Sequence, residues 1–127
     1  VTGQWWVAAH PGDFMTKVEA YIRTHLLNKV QDALEELHIS GLTVTEVRGM
    51  GRSKAVTHTF RGNTYDTKLN PRLKLEAIVH DDEVESVVEA IQQAAQTGEV
   101  GDGKILIYKV ADAVRIRTGE RGDGAIS

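Results

Sequence analysis

Two segments near the end of this 127-residue chain carry residue types that could handle a polyphosphate. Residues 97–104 read T-G-E-V-G-D-G-K and residues 114–122 read V-R-I-R-T-G-E-R-G. Glycines let backbone amides approach an anion closely, and lysine or arginine neutralises its charge. Together the two segments point to a nucleotide binder.

Gly98 and Gly103-Lys104 satisfy the G-x-x-x-x-G-K spacing of a P-loop, but the surroundings are wrong for one. A working P-loop follows a strand, opens a helix and places Ser or Thr after the lysine to hold magnesium. Here Ile105 follows the lysine, residues 82–96 before the loop are helical in pattern, and residues 105–110 after it are strand-like. The order is inverted, so the spacing does not predict a P-loop NTPase. A purely structural reading stays open, with Gly98 capping a helix and Asp102-Gly103 forming a turn.

Composition bounds the rest. At 41% hydrophobic, with a formal charge of −3 and no cysteine, the chain reads as one domain with a modest core and no disulfide or thiolate metal site. The charge argues against general nucleic-acid binding, which needs a basic excess. No stretch is long and apolar enough for a membrane span, and residues 1–14 lack a secretory pattern, so a cytoplasmic location is expected.

The elements that must position the glycines and arginines are legible through an internal repeat. K-V-E-A-Y-I at 17–22 matches K-L-E-A-I-V at 74–79, and after each the same helix positions recur: Val30 and Val87, Ala33 and Ala90, Leu34 and Ile91. A helix is expected over 26–37, then a turn at Gly41 and a β-branched strand over 42–48. A second helix is expected after an Asp82/Glu85 capping box, stopped by Gly98 and followed by the strand at 105–110. This doubled β-α-β pattern predicts an α+β fold, a ferredoxin-like double βαβ sandwich with two helices on one face of a sheet. Val18, Tyr21, Leu73 and Leu75 cannot all face those helices on this reading, so oligomerisation is expected to cover an apolar second face.

Residues 51–71 form a long polar connector carrying Arg52, Lys54, Phe60, Arg61, Tyr65 and Lys68. Connections are usually much shorter, and aromatic and basic residues displayed on one read as anchors for a partner.

Four motifs in order, T-V-T-E-V-R-G-M-G-R at 43–52, R-G-N-T-Y at 61–65 and the two segments above, resemble the PII nitrogen-regulatory signalling proteins. The resemblance covers residues 15–127 as one PII-like domain and leaves 1–14, with both tryptophans, as an extension that is disordered or foreign to the native start, with a functional extension as the alternative. It implies a homotrimer binding ATP, ADP or AMP in intersubunit clefts, with Mg possible beside ATP, and it makes the connector the family's T-loop, which docks on a regulated transporter or metabolic enzyme. Carried over by position, Thr43 and the backbone near Ile78 would hold adenine. Gly51, Arg52, Gly101, Gly103 and Lys104 would surround the phosphates, with Arg115 and Arg117 reaching across from a neighbouring subunit. The site is expected to bind nucleotide rather than consume it, so no enzyme is implied.

The chain departs from the family where the resemblance implies 2-oxoglutarate sensing. Ser53 stands in place of the usual glutamine at the loop base, Arg72 in place of a lysine that clamps the effector carboxylate, and Glu99 in place of a frequent lysine. Ser53, Lys54 and Arg72 are therefore expected to serve another anion, such as bicarbonate, with ordinary 2-oxoglutarate sensing as the alternative. Tyr65 occupies the position that is uridylylated in some members, or contacts the partner. The five histidines show no ligand spacing and are expected to be structural or surface groups, with no metal site. A nucleotide-hydrolysing enzyme and a purely structural trimer are the competing classes, the first lacking a visible acid–base pair.

Overall fold

A computed structural model describes residues 15–39, 41–51, 56–60, 63–67 and 69–126, with backbone alone for 56–60 and 63–67. The extension at 1–14 lies outside the described residues, as do Arg52, Ser53 and Lys54.

The two copies of the repeat become the two central strands, β1 (Met15–Ile22) and β5 (Asn70–His80), paired antiparallel with Val18 opposite Ala77 and Ala20 opposite Leu75. β2 (Leu42–Gly49) pairs with β5 and β6 (Lys104–Val110) with β1, so the sheet runs β2-β5-β1-β6, antiparallel throughout. Helices α1 (Leu27–Glu36) and α2 (Val84–Ala95) pack on one face, each preceded by a single 3-10 turn. This is the ferredoxin-like double βαβ arrangement that the repeat predicts.

Alternation along the strands decides which residues meet the helices. Val18, Ala20, Ile22, Leu73, Leu75, Ala77 and Val79 form one buried cluster with Val30 and Leu34 of α1 and Val87, Ile91, Ala94 and Ala95 of α2. Val30 and Val87, matched in the repeat, are each fully buried.

Val18, Leu73 and Leu75 lie beneath the helices, whereas Tyr21, one residue out of step with Ile22, is on the second face, which is mixed: Ile78 and Leu106 share it with charged residues. That face carries a polar lattice. Lys17 Nζ lies 3.1 Å from Glu19 and 3.2 Å from Glu76, the Tyr21 hydroxyl donates to Glu19 at 3.0 Å, and Lys17 sits 4.6 Å from the Tyr108 ring centre. Glu19 is only 5% exposed, so these partners offset the cost of holding its charge away from water.

Element ends differ from the sequence reading in instructive ways. α1 is closed by His38 at φ 61°, whose N–H donates to Glu35 O while Ile39 N–H donates to Leu34 O, so a histidine takes the left-handed position and Gly41 does not make the turn. α2 ends at Ala95, before Gly98, and at its start the Glu83 carboxylate accepts from His80 N–H at 3.0 Å in place of an Asp82/Glu85 box. The connector contains a hairpin of β3 (Val56–Phe60) and β4 (Asn63–Thr67), with His58 opposite Tyr65. Its polar side chains hid the period-2 alternation of V-T-H-T-F and N-T-Y-D-T.

Candidate functional site

The segment 97–103, between α2 and β6, is fixed by one carboxylate. Asp102 accepts from Thr97 N–H and Gly98 N–H, each at 2.8 Å, from the Thr97 hydroxyl, and from Arg23 Nε at 3.1 Å. Arg23 Nη2 also donates to Val100 O at 3.0 Å, tying the loop to the end of β1. These donors, the Thr97 hydroxyl foremost, hold the Asp102 carboxyl well below the usual carboxylate range. The sequence reading gave Asp102 only a place in a turn and did not assign Arg23; the clamp depends on the loop's folding back on Asp102 and on Arg23 from the neighbouring strand end.

Gly103 is obligatory for a steric reason. Its φ is +99°, and a Cβ built there would lie 1.8 Å from the Tyr21 carbonyl oxygen. The loop therefore presses backbone against backbone at the point where β6 begins. Gly101, at φ 103°, also has a left-handed conformation.

Fixed in this way, the loop forms one wall of an open cleft of about 900 Å³. The opposite wall is the end of β2 and the residues just beyond it, Arg48 through Gly51, and the floor includes Tyr21, Arg72 and Lys74. Of the residues expected around phosphate, the cleft unites Gly51, Gly101, Gly103 and Lys104, and Arg72 joins them. Arg48 and Lys74 are cations that the sequence reading did not assign. The described lining carries Arg48, Arg72, Lys74 and Lys104 against Glu99 and Asp102, and Asp102 is already engaged. The balance favours an anion. Arg72 is half-buried and donates from Nη1 to Pro71 O at 2.8 Å; burial, followed by the nearby Arg23 charge, lowers its pKa. At the same edge, Asn70 is 2% exposed, and its side-chain amide has no hydrogen-bond partner among the described residues.

Thr43, Ile78, Arg115 and Arg117 are not in this cleft. Thr43 pairs with Glu76, and Ile78 with Lys17. Both arginines come after β6, which starts at the cleft with Lys104 and ends at Val110 opposite Met15, about 20 Å away at the rise of a strand. There residues 112–122 fold back on themselves. Val114 bridges Arg121, and Asp112 accepts from Ala113 N–H at 2.8 Å and from Gly122 N–H at 3.2 Å and pairs with Arg121 Nη1 at 2.8 Å. Arg115 is paired with Glu120 at 3.0 Å, whereas Arg117 is exposed. The short helix α3 (Asp123–Ile126) is tied to β5 by a 3.0 Å contact between Asp123 and His80 Nδ1. Of Tyr65 only the backbone is described, in β4.

Among the described residues no three or more His, Asp or Glu side chains cluster as metal ligands, and no helix is long and apolar enough to cross a membrane. The loop order is α2, loop, β6, the inverse of a P-loop.

Residues 15–120 match the family described as Nitrogen regulatory protein P-II. The chain is 50% identical over 112 residues to the nitrogen regulatory protein P-II of Rhodospirillum rubrum, covering 88% of this chain and 100% of that protein. It is 47% identical to nitrogen regulatory protein P-II 1 of Escherichia coli at the same coverage. In three dimensions it resembles Arabidopsis thaliana PII bound to citrate, with a TM-score of 0.72 and 40% identity over 88% of this chain and 92% of that one. It also resembles the B. subtilis GlnK-ATP complex, with a TM-score of 0.72 and 29% identity over 91% and 99%.

Proposed function

Because the chain belongs to the nitrogen regulatory protein P-II family, we propose that it is a signal-transduction protein that binds adenine nucleotide in a cleft completed by a second copy of itself. The reading is of a regulator, not of an enzyme.

One observation carries the shared site: the residues matching the family's nucleotide positions are split between two ends of one sheet. Gly51, Gly101, Gly103 and Lys104 line the cleft, while Arg115 and Arg117 begin beyond the far end of β6. A single nucleotide does not reach both groups in one subunit. A ring of copies, each presenting its cleft end to the far end of the next, brings them together, and a homotrimer is the closed ring we propose. Thr43 and Ile78, off the cleft, would then meet the base from the subunit that supplies the arginines. Glycine amides and Lys104 suit phosphate, and guanidinium forks bind it bidentately. The ATP in the B. subtilis GlnK complex supports adenine nucleotide as the class of ligand. Titration calorimetry with ATP, ADP and AMP, with and without Mg, tests this while phosphate release is followed; binding without turnover is the expected result, and steady hydrolysis contradicts it.

For the second effector, we infer a small planar anion such as bicarbonate at the loop base in preference to 2-oxoglutarate, motivated by Arg72 in the cleft lining and by Ser53, two residues after the cleft residue Gly51 in sequence. Identity near 50% to proteins named for nitrogen regulation favours the ordinary 2-oxoglutarate reading instead. The same calorimetry with either anion added to the ATP complex separates them: micromolar 2-oxoglutarate binding overturns the bicarbonate reading, and a bicarbonate effect lost in Arg72→Ala supports it. Residues 51–71, with Tyr65, would carry the signal to a transporter or enzyme.

A further inference from the structure

The two arginines of the R-I-R motif are in different situations, and the turn formed by residues 118–124 makes the difference. Arg115 Nη1 is 3.0 Å from Glu120 Oε1, and Nη2 donates to Gly124 O at 3.0 Å. Its backbone is fixed in the same turn: Arg115 N–H donates to Glu120 O at 2.8 Å and Gly119 N–H donates to Arg115 O at 2.7 Å. Glu120 is itself held, since its Oε1 accepts from the Thr118 hydroxyl at 3.0 Å and its N–H donates to Thr118 Oγ1 at 3.2 Å. The turn is closed at its base by Asp112 and Arg121. Arg117, two residues on, is exposed.

A guanidinium has five N–H donors in a rigid plane. The contacts to Glu120 and Gly124 take one donor from each terminal nitrogen and so fix the plane of the guanidinium. We propose that Glu120 is a positioning residue for nucleotide binding, acting with the Gly124 carbonyl to hold the Arg115 guanidinium in the orientation in which it meets phosphate on a neighbouring copy. This rests on the shared-cleft reading above. Arg115 then gives up little side-chain freedom on binding, whereas Arg117 must be ordered by the ligand. The opposite role for Glu120, a carboxylate competing with phosphate for Arg115, predicts changes of the opposite sign.

The test is ATP calorimetry on the full chain and on Glu120→Ala, Glu120→Gln and Arg115→Ala, with thermal melts of each protein without ligand. Glutamine keeps the acceptor for Arg115 and loses the charge. If Glu120 positions Arg115, Glu120→Ala weakens ATP binding by about two- to tenfold, the freedom of one ordered side chain. Glu120→Gln restores most of the loss, and Glu120→Ala adds nothing further in an Arg115→Ala background. A rise in affinity in Glu120→Gln, or equal loss in both Glu120 variants whether or not their melts fall, overturns the proposal. So does unchanged affinity in Glu120→Ala. ATP binding by the parent with no response to Glu120 removes this inference alone, whereas a parent that binds no adenine nucleotide removes the shared-cleft reading and this one with it.

Discussion

A methyl group at Gly103 would meet the Tyr21 carbonyl oxygen at 1.8 Å, in a backbone conformation that side chains rarely adopt. Gly103→Ala is therefore expected to cost roughly 3 kcal/mol or more, seen as a lower urea midpoint, because backbone on both sides must move. Asn70 makes the converse case. Its amide is buried without a partner among the described residues, so Asn70→Leu is expected to raise stability by about 1 kcal/mol in the same measurement. Asp102 has a signature in pH. Its folded carboxyl lies below the ordinary value of 3.8, so the stability it lends to the 97–103 loop is present above that value and is lost as the pH falls further. Protection of the Thr97 and Gly98 amides relative to intrinsic exchange should fall in that acid range in the parent, and that fall should be absent in Asp102→Asn. These roles were only half visible in the sequence. The glycines announce themselves by type, but Gly103 and Tyr21 are brought together only by the pairing of β6 with β1, and Arg23 reaches Asp102 only across the sheet.

At the level of elements, α1 ends on His38 in the left-handed region, a position that favours glycine. His38→Gly should stabilise the chain by ~0.5–1 kcal/mol, read from its melting curve. The helices and strands were legible because the repeat doubled every signal: Val30 with Val87 and Leu34 with Ile91 mark the same buried stripe twice. What escaped depended on contacts distant in sequence or on polar strands. The β3–β4 hairpin has too few apolar residues for its alternation to stand out, and the polar lattice around Glu19 forms only when β1, β5 and β6 lie side by side. The tether between α3 and β5 is similarly non-local. His80 has a raised pKa, chiefly through Asp123, so its contribution is present below the ordinary value of 6.5 and is lost as the pH rises through the higher folded value. Exchange protection of 123–126 should fall over that interval and be insensitive to pH in His80→Gln.

For the whole molecule, the separation of Lys104 from Arg115 and Arg117 along β6 turns nucleotide binding into a question about assembly. The second sheet face mixes a charged and tyrosine-bearing lattice with Ile78 and Leu106; completion of the nucleotide site is the reason proposed for a trimer. Lys104→Ala and Arg117→Ala homomers should each lose roughly tenfold or more in ATP affinity, the value of one charge-assisted phosphate contact. The most direct measurement is therefore ATP calorimetry on a co-refolded equal mixture of Lys104→Ala and Arg117→Ala chains. A site shared between neighbours regains parent-like affinity wherever an intact lysine faces an intact arginine, on the order of a quarter of the sites in a randomly mixed ring. Recovery of that tight fraction is the predicted result, and a mixture that binds no better than its two components would contradict it.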